Sequence, residues 1–211
     1  MGQSSVALIR ISGPGSFSIA KKLTGTKKDR RHHEVAILFI KSNEGEDLDR
    51  GLFTFFISPN SYTGEDIVEI SCHGNQLIVG IIVSRCIQLG ARIAEPGEYT
   101  KRAFLNNKIS LSQAESVGAL ISSKSEEAII QNIKNIEGGS SKRVVSIKNN
   151  LVKALSNIEH ELDVSEHELF DKNIIEKTTK LIKNNILECT YLLDSFAAGT
   201  AYSNGFRVAI V

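Results

Sequence analysis

The sequence predicts an α+β chain, with an N-terminal α/β domain followed by part of an α-helical bundle. Three observations predict it. Residues 66–72, Asp-Ile-Val-Glu-Ile-Ser-Cys, alternate with a period of two, as a half-buried strand does. Beyond Ser110 the apolar residues recur with a period near 3.6, as on helices that bury one side. Between the two regimes lies AEPGEYTKRAFLNNKISLSQAE, residues 94–115, which packs a Pro-Gly turn, two helix starts and an Asn-Asn-Lys interruption into one stretch.

Composition bounds the reading. The chain has 211 residues, room for one large or two small domains. It is 41% hydrophobic and 23% charged, as soluble globular proteins are. A formal net charge of +1 provides no whole-molecule field for nucleic acid or anionic lipid. Cys72, Cys86 and Cys189 have no CxxC spacing, which argues against a disulfide framework and a zinc site. No apolar run approaches the ~20 residues of a membrane span, and no signal peptide is visible. A cytoplasmic location is expected.

Taken in order, Val6–Ile11 is a β-type run ended by Ser12-Gly13-Pro14-Gly15. Residues 16–24 have helical character. Lys27–His33 is a charged loop; solvated residues or a contact with tRNA phosphates are its two readings. Glu34–Lys41 and Leu52–Ile57 read as strands joined by a hairpin at Ser42-Asn43-Glu44-Gly45. On residues 66–72, Ile67, Glu69 and Ser71 share one face, and Val68, Ile70 and Cys72 the other. A helix is predicted from Gln76 to Leu89, closed by Gly90. Pro96-Gly97 is expected to end a last strand, and residues 98–106 to form a short helix.

In the second half, Ser110 and Ser112 both suit a helix N-cap, and Ser112 with Glu115 matches a capping box. Ile129, Ile133 and Ile136 continue an apolar stripe until Gly138-Gly139-Ser140-Ser141 breaks it. Leu151, Leu155, Ile158 and Leu162 repeat at helical spacing, as do Ile175, Ile182, Ile186, Cys189, Leu193 and Phe196. The final run, Gly205–Val211, looks like the first strand of a further domain.

The chain resembles the N-terminal part of the tRNA modification GTPase MnmE (TrmE) family. Four motifs carry the likeness: Leu8-Ile9-Arg10-Ile11-Ser12-Gly13-Pro14; Asn60–Ile70 with Cys72-His73-Gly74; Pro96–Lys108; and Leu111-Ser112-Gln113-Ala114-Glu115. The resemblance implies a folate-binding and dimerising domain over residues 1–108, similar to the tetrahydrofolate-binding fold of glycine-cleavage T-protein. It implies the first part of a helical domain over 109–204 and the start of a GTPase domain over 205–211. The sequence holds no GxxxxGK[ST] loop, so this chain alone is expected neither to bind nor to hydrolyse GTP. GTP, Mg and K belong to the intact family protein. The segment Asp163-Val164-Ser165-Glu166-His167-Glu168 departs from the family's Asp-Phe-Pro-Glu-Glu-like pattern by lacking its proline.

By the same resemblance Arg10, Glu69 and Lys108 fall on the positions that bind 5-formyltetrahydrofolate. The chemistry suits them: a carboxylate matches the donor edge of a reduced pterin, and cations match an anionic glutamyl tail. The residues alone leave another reading open, an interstrand salt bridge between Glu69 and Arg10. They also leave Lys108 as an ordinary solvated residue of a connector. No catalytic residue and no metal site is expected. The acidic residues around His160 and His167 match no standard ligand spacing, and adjacent Cys72 and His73 point to opposite faces of a strand. The intact family works with an FAD-dependent partner, MnmG (GidA), to modify C5 of the wobble uridine of tRNA. Two rivals are a scaffold without ligand and a T-protein-like aminomethyltransferase; the absence of a clear general acid or base argues against the second.

Overall fold

A computed structural model describes residues 4–164 and 171–204. The chain divides into two compact units, Met1–Ile109 and Ser110–Val211. The expected strand at 205–211 and most of the acidic segment at 163–168 lie outside the described residues.

The first unit runs β1 (Val6–Ser12), α1 (Ser16–Thr24), β2 (Val35–Lys41), β3 (Asp47–Phe56), β4 (Ile67–His73), α2 (Gln76–Gln88) and α3 (Glu98–Leu105). The strands form one sheet in the order β1-β4-β3-β2, antiparallel at every pairing. Alternation sorts the sheet into two faces. One face carries Ile11, Ile40, Phe53, Phe55, Val68, Ile70 and Cys72, and packs under Ile19, Ala20 and Leu23 of α1 and Ile82 and Cys86 of α2. Each such large side chain contributes about 1.5–3 kcal/mol by leaving water.

The opposite face is open. Leu8, Ser71, Leu52 and Ile37 form one row across all four strands, and Arg10, Glu69, Thr54 and Val35 form the next. Leu8, Leu52, Ile37 and Val35 are exposed there, with Val6 and Phe39 beside them.

Two expectations need correction in this unit. β3 begins at Asp47, five positions before Leu52, because its polar residues are satisfied within the fold. Asp47 pairs with Lys41 at 2.5 Å. Asp49 is buried and accepts from His73. Residues 91–95 form no strand before Pro96-Gly97; they are an irregular segment leading to α3.

The second unit comprises α4 (Leu111–Ser122), α5 (Glu126–Ile136), α6 (Gly139–Val164) and α7 (Lys172–Asn204). Ser110 caps α4: its hydroxyl accepts from the Gln113 backbone amide, and the Gln113 side chain accepts from the Ser110 amide. The capping box is therefore Ser110–Gln113, not Ser112–Glu115. Ser112 instead joins Ser110 and Ser141 in a hydroxyl cluster. The stripe leading to Ile136 is also broken, because Ser125 caps a new helix by accepting from Ala128. Gly138, with φ 87°, ends α5, and Gly139 opens α6 instead of ending a helix.

α6 and α7 pair through polar groups as well as apolar ones. Asn150 donates to Asn185 at 3.1 Å, Asn185 donates to the Ile147 carbonyl at 3.3 Å, and Asn157 donates to Thr178 at 3.0 Å. Asn185 and Thr178 are buried. Leu151, Leu155, Ile158, Leu162, Ile175, Ile186 and Leu193, expected to form bundle faces, are all exposed in this unit. Among the described residues no helix is long and apolar enough to cross a membrane.

Candidate functional site

Arg10 and Glu69 meet because β1 and β4 pair antiparallel with these two residues directly opposite. Cross-strand partners on one face lie within side-chain reach. Arg10 Nε donates to Glu69 Oε1 at 2.7 Å, and a terminal nitrogen donates to the same oxygen at 2.5 Å. Glu69 Oε2 is left for a further donor. The side chains are 34% and 23% exposed, so the pair is reachable from solvent.

Two tyrosines frame the guanidinium. Its carbon lies 5.4 Å from the Tyr99 ring centroid and 6.0 Å from that of Tyr62. Tyr99 also donates to the Arg10 carbonyl at 2.6 Å. That carbonyl belongs to β1, an edge strand, so the hydroxyl satisfies an acceptor the sheet leaves over. Burial pushes the Tyr99 hydroxyl pKa up and keeps it a donor. Tyr62 reaches across to Thr100, hydroxyl to hydroxyl at 3.0 Å.

The punctuation of residues 94–115 has its physical basis here. Gly97, with φ 77°, takes the left-handed conformation that opens α3. Glu98 follows and collects Arg92, Arg102 and the Glu95 amide. Hydrogen bonds from Arg92, then the Glu95 amide, then Arg102 hold its carboxyl far below the usual carboxylate range. Arg102 also donates to both oxygens of Glu65 at 2.9 Å, and Ser12 donates to Glu65 at 2.8 Å. Arg102 thus ties α3 to the loop before β4, and Ser12 ties that loop to the end of β1.

Lys108 follows Asn107, whose φ of 55° turns the chain after α3. Its ammonium donates to the Pro59 carbonyl at 2.9 Å. Asn106 donates to the Thr63 carbonyl at 2.7 Å. Both residues therefore hold the 59–64 loop, the loop that places Tyr62 against Arg10. Gly64 in that loop has φ 78°, and a Cβ there would meet Asn106 and Lys108 side chains at 3.2 and 3.3 Å.

The structure thus brings Arg10 and Glu69 into direct contact, which is the interstrand ion pair left open by the residues alone. Lys108 is linked to them only through the 59–64 loop. A cavity of about 410 Å³ is lined by Arg10, Ser12, Arg92, Glu98, Tyr99 and Arg102, among others, but not by Glu69 or Lys108. Sequence reasoning assigned no role to Tyr62, Tyr99, Glu65, Glu98 or Arg102; their only signal was membership in the Tyr-Thr-Gly-Glu-Asp and Pro-Gly-Glu-Tyr-Thr-Lys-Arg motifs. It also missed Asp49, which binds the His73 ring at 2.6 Å. Burial opposes ionisation of Asp49, but bonds from the His73 ring and amide and the Arg50 amide hold its pKa below normal. Among the described residues no group of three His, Cys, Asp or Glu is arranged to hold a metal ion.

Two family models match the chain: the GTP-binding protein TrmE N-terminus over residues 1–108, and the MnmE helical domain over 111–207. The chain belongs to the MnmE (TrmE) family. Its relatives include proteins named tRNA modification GTPase MnmE. The one from Thermotoga petrophila is 39% identical over the whole chain, and the one from Aquifex aeolicus 35%. That from Chromobacterium violaceum is 40% identical over 80% of the chain. The chain spans 46%, 47% and 37% of these MnmE relatives respectively, about half their length or less.

Proposed function

We propose that this chain is the folate-binding and dimerising part of a cytoplasmic tRNA modification GTPase. Arg10, Glu69 and Lys108 hold 5-formyltetrahydrofolate, which supplies a one-carbon unit when bound. Working with the FAD-dependent MnmG (GidA), the intact MnmE protein modifies C5 of the wobble uridine of tRNA.

The observation that carries the folate reading is the Arg10–Glu69 pair on an open sheet face, between Tyr62 and Tyr99. Both guanidinium bonds fall on one carboxylate oxygen. The other oxygen can accept from the N–H edge of a reduced pterin, and the tyrosine rings offer apolar surface to a planar heterocycle. Lys108 supplies a cation for the glutamyl tail, exchanging the neutral Pro59 carbonyl for a carboxylate.

The open face supports the dimer reading. Leu8, Leu52, Ile37, Val35, Phe39 and Val6 are between 41% and 60% exposed on one sheet surface. An apolar patch of this kind on a soluble protein suits a protein partner, and a second copy covers it symmetrically.

Isothermal titration of 5-formyltetrahydrofolate into the chain tests the folate reading. Saturable binding that Glu69→Ala weakens more than about tenfold is expected, the loss of a charge-assisted hydrogen bond and its partner. No binding at all leaves the scaffold reading in its place.

A further inference from the structure

We propose that a second cavity in the first unit binds a small aromatic carboxylate. It measures about 370 Å³ and is lined by Phe17, Lys21, Asp29, Arg30, Phe55 and Ile57 among others. It shares none of these residues with the Arg10–Glu69 pair or with Lys108.

Its walls are aromatic. The Phe17 and Phe55 rings meet edge to face, centroids 5.5 Å apart at 81°. That arrangement leaves π surface for a third ring of similar size.

Its polar group is an incompletely satisfied arginine. Arg30 comes from the Lys27–His33 run, yet its side chain is only 8% exposed. Its guanidinium carbon lies 5.6 Å from the Phe55 centroid, and one terminal nitrogen donates to Glu34 at 2.8 Å. The Nε–H is buried and meets no acceptor among the described residues. Buried polar groups in folded proteins nearly always find a partner. An unmet donor on the lining of a roomy cavity marks the place where an acceptor belongs.

Lys21 supplies the second donor. It is paired with Asp29, whose side chain is 92% exposed and held at the surface. Such a solvent-exposed pair is weak and exchanges readily for another carboxylate. A ligand carboxylate therefore displaces Asp29 from Lys21 and accepts from Arg30 Nε, while Glu34 keeps its own bond to Arg30. Two donors match the two oxygens of a carboxylate. A phosphate, with three oxygens and up to two charges, is left under-satisfied.

Benzoate and inorganic phosphate, titrated separately and followed by aromatic NMR of the whole chain, test the proposal. Saturable shifts of the Phe17 and Phe55 rings with benzoate are expected, and none with phosphate at equal concentration. Arg30→Gln should weaken benzoate by about tenfold or more, as loss of one charge-assisted bond does. Lys21→Met, a change on the surface of α1, should weaken it as well, and it decides the matter if Arg30→Gln fails to fold. The absence of saturable shifts with benzoate, equal affinity in the folded variants, or phosphate binding as tight as benzoate would each overturn the proposal.

Discussion

Glu69 receives both hydrogen bonds from Arg10 on a single oxygen, at 2.7 and 2.5 Å, across the β1–β4 pairing. The pair is partly open to solvent, and exposed ion pairs contribute about 0–1 kcal/mol to stability. Glu69→Ala and Glu69→Gln should therefore shift the urea unfolding free energy by no more than about 1 kcal/mol. A loss of several kcal/mol would make Glu69 a structural residue first.

Glu98 sets the acid limb of stability. Its pKa lies far below the ordinary value of 4.5 because Arg92, the Glu95 amide and Arg102 bond to the charged form. A carboxyl depressed in the folded state adds stability that is fully present above the unfolded pKa and is lost as pH falls toward the folded pKa. Glu34 acts in the same direction, held at about 2 first by the Arg31 amide and then by Arg30. Stability should thus decline from about pH 5 downward. Glu98→Gln should flatten that decline in urea titrations at successive pH values.

Gly64 has a conformation and a neighbourhood that exclude a side chain. Its φ is 78°, and an added Cβ would press on Asn106 and Lys108. Gly64→Ala should destabilise the first unit by about 1–2 kcal/mol, the cost of a left-handed non-glycine residue. Thermal unfolding followed by circular dichroism measures it.

Asn185 is buried between α6 and α7, accepting from Asn150 and donating to the Ile147 carbonyl. Asn185→Ala leaves the Asn150 amide and the Ile147 carbonyl without that partner. The expected loss is about 1–3 kcal/mol, read from urea unfolding.

The cysteines should react in a fixed order. Cys189 is exposed, whereas Cys72 and Cys86 are buried. Burial raises the Cys72 thiol and pushes Cys86 up to about 11, which suppresses its thiolate. Iodoacetamide at neutral pH should alkylate Cys189 first, with the other two following only on unfolding; mass mapping of the modified peptides checks this.

Much of the first unit was legible because its strands obey a two-residue alternation. The division of Ile67, Glu69 and Ser71 from Val68, Ile70 and Cys72 places Glu69 opposite Arg10 once β1 and β4 pair. The start of β3 was hidden because Asp47, Asp49 and Arg50 read as loop residues. Only the fold reveals that Asp49 is buried against His73, 24 positions away. The capping box was misplaced because Ser110 and Ser112 both precede a plausible partner at the right spacing, and backbone geometry decides between them. Tyr62 and Tyr99 were unreadable as a frame for Arg10, since aromatic residues distant in sequence carry no mark of shared contact.

The central claim is that Glu69 reads the pterin while Lys108 reads the tail of the same ligand. The most direct measurement compares two ligands, 5-formyltetrahydrofolate and its tailless 5-formyltetrahydropterin, in calorimetric titrations of both variants. The account predicts that Glu69→Gln weakens both ligands, while Lys108→Ala weakens the folate by about tenfold and leaves the pterin unchanged. If Lys108→Ala binds both as the parent chain does, or if neither ligand binds the parent chain, the account is contradicted.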